Sequence, residues 1–166
     1  MAVQEERGGF DMTLAEVIRR IEVIASRQPS INMIVRNDIF RLNEKADARY
    51  GVFGWTQNQH SSSLSSGEMR YSFTFFYVDR LTHDKGNEVE VQSVGISTLD
   101  NIVKMLDEFE VYSNNDYTFT AFNQRFTDEC AGVFCNIAFT VDAGSVCADN
   151  PGGDFNLDFN DDFLIY

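Results

Sequence analysis

The stretch Tyr71-Ser72-Phe73-Thr74-Phe75-Phe76-Tyr77-Val78 restricts the possible folds more than any other part of this chain. Tyr71, Phe73, Phe75 and Tyr77 alternate onto one face of an extended segment, because side chains of a strand repeat with a period of two. Phe76 and Val78 make the opposite face apolar too. A strand that is apolar on both sides belongs inside a sheet, with helices on one face and further protein on the other. Val133, Cys135, Ile137, Phe139 and Val141 give a second, cleaner alternation, with Asn136 and Thr140 on the polar side.

Helical periodicity supplies the cover. Leu14, Val17, Ile18, Ile21, Ile24 and Ala25 fall on one face of a helix spanning 13 to 27. Thr13 and Glu16 have the spacing of a capping box, in which each side chain serves the other residue's backbone N–H, and Met12 is placed to staple onto Val17. Pro29 stops the helix by disfavouring helical geometry at Gln28. A longer helix is predicted over 89 to 109 from Val91, Val94, Thr98, Ile102, Met105, Leu106 and Phe109. Gly95 weakens its middle, and a restart capped by Ser97 with Asp100 is the alternative.

The remaining segments read as strands and turns. Ile31 to Val35, Ile39 to Leu42 and Tyr50 to Thr56 suit short strands, the last pairing with the aromatic strand that follows. The serine-rich stretch from Ser61 to Gly67 reads as a loop, 82 to 87 as a polar turn and Asn114-Asn115 as another. Tyr117, Phe119 and Ala121 alternate until Phe122 breaks the register, as a bulge or bend would. Helix, strands, helix, strands specifies an α+β fold of two layers: an antiparallel or mixed sheet covered by two amphipathic helices. The expected organisation is a loose leader over 1–12, one domain over 13–142 and an arm over 143–166.

The charge is distributed unevenly along the chain. Of its net −13, residues 1–141 hold 20 acids against 13 bases, whereas 142–166 hold six aspartates and no base. So acidic a surface argues against gripping a phosphate backbone, which lysine and arginine do by displacing counterions. It still permits DNA to slide past, since a wall without attractive charge does not hold it. Cys130, Cys135 and Cys147 have no framework spacing and are expected as free thiols of a reducing compartment, with Cys135 buried on a strand's apolar face. Without a signal-peptide pattern or a bilayer-length apolar run, the expectation is a protein made in a cytoplasm that stays soluble.

Catalytic motifs are missing. The chain has no nucleophile elbow, phosphate-binding glycine loop, His-Glu-x-x-His or Cys-x-x-Cys pattern. His60 and His83 fall in expected loops, and His83 beside Asp84 reads as a solvated turn. Cys147 has no histidine near it in sequence to activate it. Asp154, Asp158, Asp161 and Asp162 lack calcium-loop spacing. No catalytic residue, metal or cofactor is therefore expected.

The arm is acidic but also carries Phe155, Leu157, Phe159, Phe163, Leu164, Ile165 and Tyr166. Phe155, Leu157 and Phe159 share one face of an extended segment, which suits it to lie on a surface. That surface is either the chain's own core or a neighbouring subunit, where an extended segment adds to a sheet edge.

Three segments in order, Met12-Thr-Leu-Ala-Glu-Val-Ile-Arg-Arg-Ile-Glu, Phe73-Thr-Phe-Phe-Tyr-Val-Asp79 and Cys130-Ala-Gly-Val-Phe-Cys-Asn-Ile-Ala-Phe-Thr-Val141, resemble small tail-terminator or tail-completion proteins of tailed bacteriophages. The likeness is to those of phages and prophages of Bacteroides-type bacteria, the crAss-like group included. It spans about residues 12–142 and leaves out the arm. The resemblance implies a virion ring subunit of the neck or tail, joining portal and head to tail around a DNA channel. Its partners would be copies of itself and adjacent ring, portal or tail proteins. The rival expectations are a small-molecule-binding domain with Trp55, Tyr71, Phe73 and Phe75 as pocket walls, and an enzyme using His60, His83 or clustered acids.

Overall fold

The computed structural model describes residues 13–37, 49–63, 65, 67–108, 112–113, 116–125 and 129–142. In chain order the elements are α1 (Leu14–Ser26), β1 (Met33–Arg36), β2 (Val52–Gln57), β3 (Ser61–Ser63), β4 (Glu68–Arg80), α2 (Glu88–Glu108), β5 (Tyr112–Ser113), β6 (Phe119–Arg125) and β7 (Glu129–Asp142). The strands form one mixed sheet in the order β1, β2, β4, β7, β5, with β3 also on β4 and β6 also on β7. The fold is α+β. Among the described residues only the β1–β2 pairing is parallel.

The two strands with the strongest alternation form the centre. β4 pairs antiparallel with β7 along its whole length, from Glu68 opposite Asp142 to Arg80 opposite Cys130. This register puts Phe73 beside Ile137, Phe75 beside Cys135 and Tyr77 beside Val133, and β2 adds Phe53 opposite Tyr77 and Trp55 opposite Phe75. All of these lie on one face and are buried there with Val17, Ile21 and Ile24 of α1 and Leu99, Ile102 and Leu106 of α2. The aromatic rings meet obliquely or edge to face, Phe53 and Phe75 with centroids 5.5 Å apart and Phe73 and Phe139 6.1 Å apart. Each such side chain contributes about 1.5–3 kcal/mol by leaving water.

α1 begins where the sequence places it. Thr13 Oγ1 accepts the Glu16 N–H at 3.2 Å, the forward half of the expected box. The Glu16 carboxylate, expected to turn back onto Thr13, instead accepts from Arg19 at 2.8 Å and Arg20 at 3.0 Å. These bonds, Arg19's first, lower the Glu16 carboxyl to about 2. Met12 lies outside the described residues.

The expected longer helix stands: α2 runs unbroken through Gly95 with no restart at Ser97, and a Cβ at Gly95 would come 3.0 Å from Tyr77 Cδ1 and 3.2 Å from Val133 Cγ2. Absence of a side chain lets the helix lie close on the sheet, so packing overrides the glycine's weak helix propensity. Three other expectations are corrected. Val94, expected on the buried face, is exposed. Ser61–Ser63, read as loop, is a strand whose register with Arg70, Met69 and Glu68 supplies the order its composition lacks. Phe122 marks no break: β6 is continuous, and Phe122 points to the opposite face from Ala121, over Gly132 of β7. Two boundaries also shift, β1 starting at Met33 rather than at Ile31, and β4 reaching beyond 71–78 at both ends. The expected strand from Ile39 to Leu42 and the Asn114-Asn115 turn lie outside the described residues.

Candidate functional site

Three regions of the described surface depart from what a self-contained fold requires. The first is the outer shoulder of α2. Its residues Thr98 and Met105 turn towards α1, with Thr98 Oγ1 2.7 Å from Ser30 Oγ and Met105 Sδ accepting from Gln28 Nε2 at 3.4 Å. Val89 and Ile96 lie two turns apart on the other shoulder, near the side where Tyr117 reaches Asp100. Val89 is 77% exposed and Ile96 41%. Between Glu90 and Asp100 the helix carries no charge, and Gln92, Ser93, Ser97 and Thr98 are its polar residues there. Asn123 of β6 donates to Glu88 at the start of α2, and β6 pairs with β7 on one side and with no described strand on the other.

The second region is the sheet face away from the helices. Val35, Val52, Phe76, Val78 and Cys130 are buried there, with Met33, Tyr50, Phe122 and Phe134 packed around them. The Arg80 guanidinium carbon stands 5.9 Å from the Tyr50 ring centroid. Towards the other end of β4 the same face turns polar: Thr74 Oγ1 donates to Asn136 Oδ1 at 2.6 Å and accepts from Asn58 Nδ2 at 3.0 Å.

The third region is the junction of β2 and β3. Asn58 N–H donates to the Ser72 carbonyl, and Ser61 lies opposite Arg70, so Gln59 and His60 together face the single residue Tyr71. Two residues against one is a β-bulge. It interrupts the ladder at the Ser72 N–H, which donates instead to His60 Nδ1 at 3.2 Å. His60 Nε2 is 3.2 Å from Gln57 Oε1. Since Nδ1 accepts, the neutral ring carries its proton on Nε2 and donates it to Gln57. The ring packs on Tyr71 and Phe73 at 5.5 and 5.9 Å between centroids. The sequence reading of His60 as a loop residue missed this role, because the bulge depends on the register of a strand that serine composition hides.

The other expected sites have clear places. His83 is exposed in the turn between β4 and α2. The Asp84 carboxylate beside it accepts from Thr82 Oγ1 at 2.7 Å and from the Gly86 N–H at 3.1 Å, bonds that hold its carboxyl below the usual carboxylate range, Thr82's foremost. Trp55, Tyr71, Phe73 and Phe75 lie together in the core, and the Trp55 indole N–H is buried with no partner among the described residues. Cys130 and Cys135 are buried, and burial pushes the Cys135 thiol up to about 12. Among the described residues no three His, Cys, Asp or Glu side chains gather to hold a metal ion. No helix of the described residues is long and apolar enough to cross a membrane. Cys147, the aspartates from Asp154 to Asp162, and Phe155, Leu157, Phe159, Phe163, Leu164, Ile165 and Tyr166 lie outside the described residues.

The fold defines an α+β domain with a mixed sheet and a single helical layer. Compared with known proteins, the chain matches no family model and no curated protein.

Proposed function

We infer that the chain is a structural subunit that works by assembling with copies of itself, and that the assembly is a ring of the neck or tail of a tailed bacteriophage, of tail-terminator or tail-completion type. The observation that carries the assembly is the α2 shoulder: Val89 and Ile96 stand in water two turns apart, Ile96 on the charge-free stretch between Glu90 and Asp100, and Asn123 of the edge strand β6 bonds Glu88 at the start of the helix. Apolar side chains bordering an unpaired strand make a surface that a second copy would cover. The phage ring follows from the resemblance of the three segments around Glu16, Phe75 and Cys135. In such a ring the acidic surface faces DNA without holding it, and Asp142 to Tyr166 threads onto an adjacent ring protein.

Light scattering during size exclusion, with negative-stain imaging, tests the reading. The expected result is a closed ring that Ile96→Glu dissociates into folded single copies. A wild-type chain that stays a single copy at high micromolar concentration would overturn it. Deletion of 143–166 is expected to leave the ring and to block its joining to partner proteins, whereas unchanged particle assembly would remove the arm from the proposal.

A further inference from the structure

We propose that His60 is a proton-operated latch on the β2–β3 edge, closed when its imidazole is neutral and opened by a single protonation, independently of whether the chain forms rings. The bulge at Gln59 and His60 removes the backbone acceptor that the Ser72 N–H would otherwise meet, and the imidazole replaces it through Nδ1. That replacement works only with a lone pair on Nδ1. A proton taken from solvent at Nδ1 sets one N–H against another, and the Ser72 N–H is left inside the sheet without an acceptor.

The groups around the ring do little to offset the added charge. β2 brings the uncharged Gln57, and β3 brings Ser61. β4 brings Phe73 and Tyr71, whose phenol burial pushes up against a smaller pull from a hydrogen bond with the Leu14 backbone. The charged residues of β4 nearest the ring, Glu68 and Arg70, hold register positions of the opposite face. α1, whose first turn reaches Tyr71, brings Glu16, already engaged by Arg19 and Arg20.

Beyond the latch, Ser61, Ser62 and Ser63 of β3 pair with Arg70, Met69 and Glu68 of β4. Losing the Ser72 bond loosens the inner end of this ladder while the β4–β7 pairing stays intact.

Amide hydrogen exchange on the full-length, nitrogen-labelled protein tests this, followed at Ser72 and across β3 and corrected for the intrinsic pH dependence of exchange. Phe75 and Val133 serve as reference amides in the same molecule. Between about pH 7.5 and about pH 5 Ser72 protection is expected to fall about tenfold, the loss of one hydrogen bond. The reference amides keep theirs. His60→Asn, whose side-chain oxygen can take the place of Nδ1 without titrating, is expected to hold Ser72 equally at both pH values. Imidazole nitrogen shifts at pH 7.5 should show the proton on Nε2. Equal Ser72 protection at both pH values, a parallel loss at Phe75 and Val133, the same pH dependence in His60→Asn, or a proton on Nδ1 at pH 7.5 would each overturn the latch.

Discussion

The phenyl ring of Phe76 lies across Gly54, its register partner in the adjacent strand, so closely that a Cβ on the glycine would come 2.7 Å from Cε1 and nearer still to Cε2 and Cζ. The glycine serves as the floor of an aromatic site on the sheet face opposite the helices. Gly54→Ala is therefore expected to lower stability by about 1–3 kcal/mol through overpacking. In a Phe76→Ala background the same substitution should cost little, so a double-mutant cycle read by urea unfolding should give a coupling above about 0.5 kcal/mol. Additive effects would show that the ring moves aside freely.

Cys135 makes the fold sensitive to alkali. Burial raises its thiol from 9.0 to about 12, so the folded state keeps the proton that an unfolded chain gives up first. This contribution is whole below pH 9 and is lost as pH rises towards 12. Cys135→Ala should flatten the alkaline limb of the stability profile while costing about 1–2 kcal/mol near neutrality. Under native conditions an aromatic disulfide reagent should leave Cys130 and Cys135 unlabelled, as peptide mass mapping would show, and unfolding should expose both.

Asp100 joins α2 to the segment before β6. It accepts from Lys104 at 2.6 Å and from the Tyr117 hydroxyl at 2.7 Å, and these bonds, Lys104's first, hold its carboxyl below the usual carboxylate range. A depressed carboxylate stabilises the fold above its unfolded pKa and ceases to do so as pH falls through the folded one. Tyr117→Phe is expected to cost about 1 kcal/mol at pH 7 and nothing measurable once Asp100 is protonated. Thermal unfolding of both proteins across pH 2–7 checks the convergence.

The cap of α1 offers a local test. Thr13→Ala removes the acceptor of the Glu16 N–H and should lower stability by about 1 kcal/mol, whereas Thr13→Ser should be nearly silent. Chemical unfolding measures both.

Much of the architecture was legible because it rests on periodicity. The stripe from Leu14 to Ala25 and the alternations through Phe75 and Cys135 each announce an element and its buried face, and two such strands with two such helices leave few arrangements. What escaped reading depends on contacts distant in sequence. Phe122 stays in register because Gly132 makes room for it, and Ser61–Ser63 is a strand because β4 extends past Tyr71 to meet it. The His60 bulge combines two such dependences, since both its existence and its Ser72 bond are set by pairing and not by local composition. Of the α2 shoulder, the charge-free stretch was visible in the sequence. Its exposure was not, because the sheet fixes which side of the helix turns inward.

The full-length pairing of β4 with β7 has a mechanical meaning. About 13 residues at roughly 3.4 Å each make a stiff ribbon about 44 Å long, with Asp142 at one end and Arg80 at the other. Traction on the chain beyond Asp142, resisted where the chain leaves Arg80 for α2, loads every cross-strand bond at once in shear. Traction between Asp142 and Glu68, which share an end, peels them one at a time. The same two strands are thus a rigid strut for tension along the sheet and a zipper for tension across it.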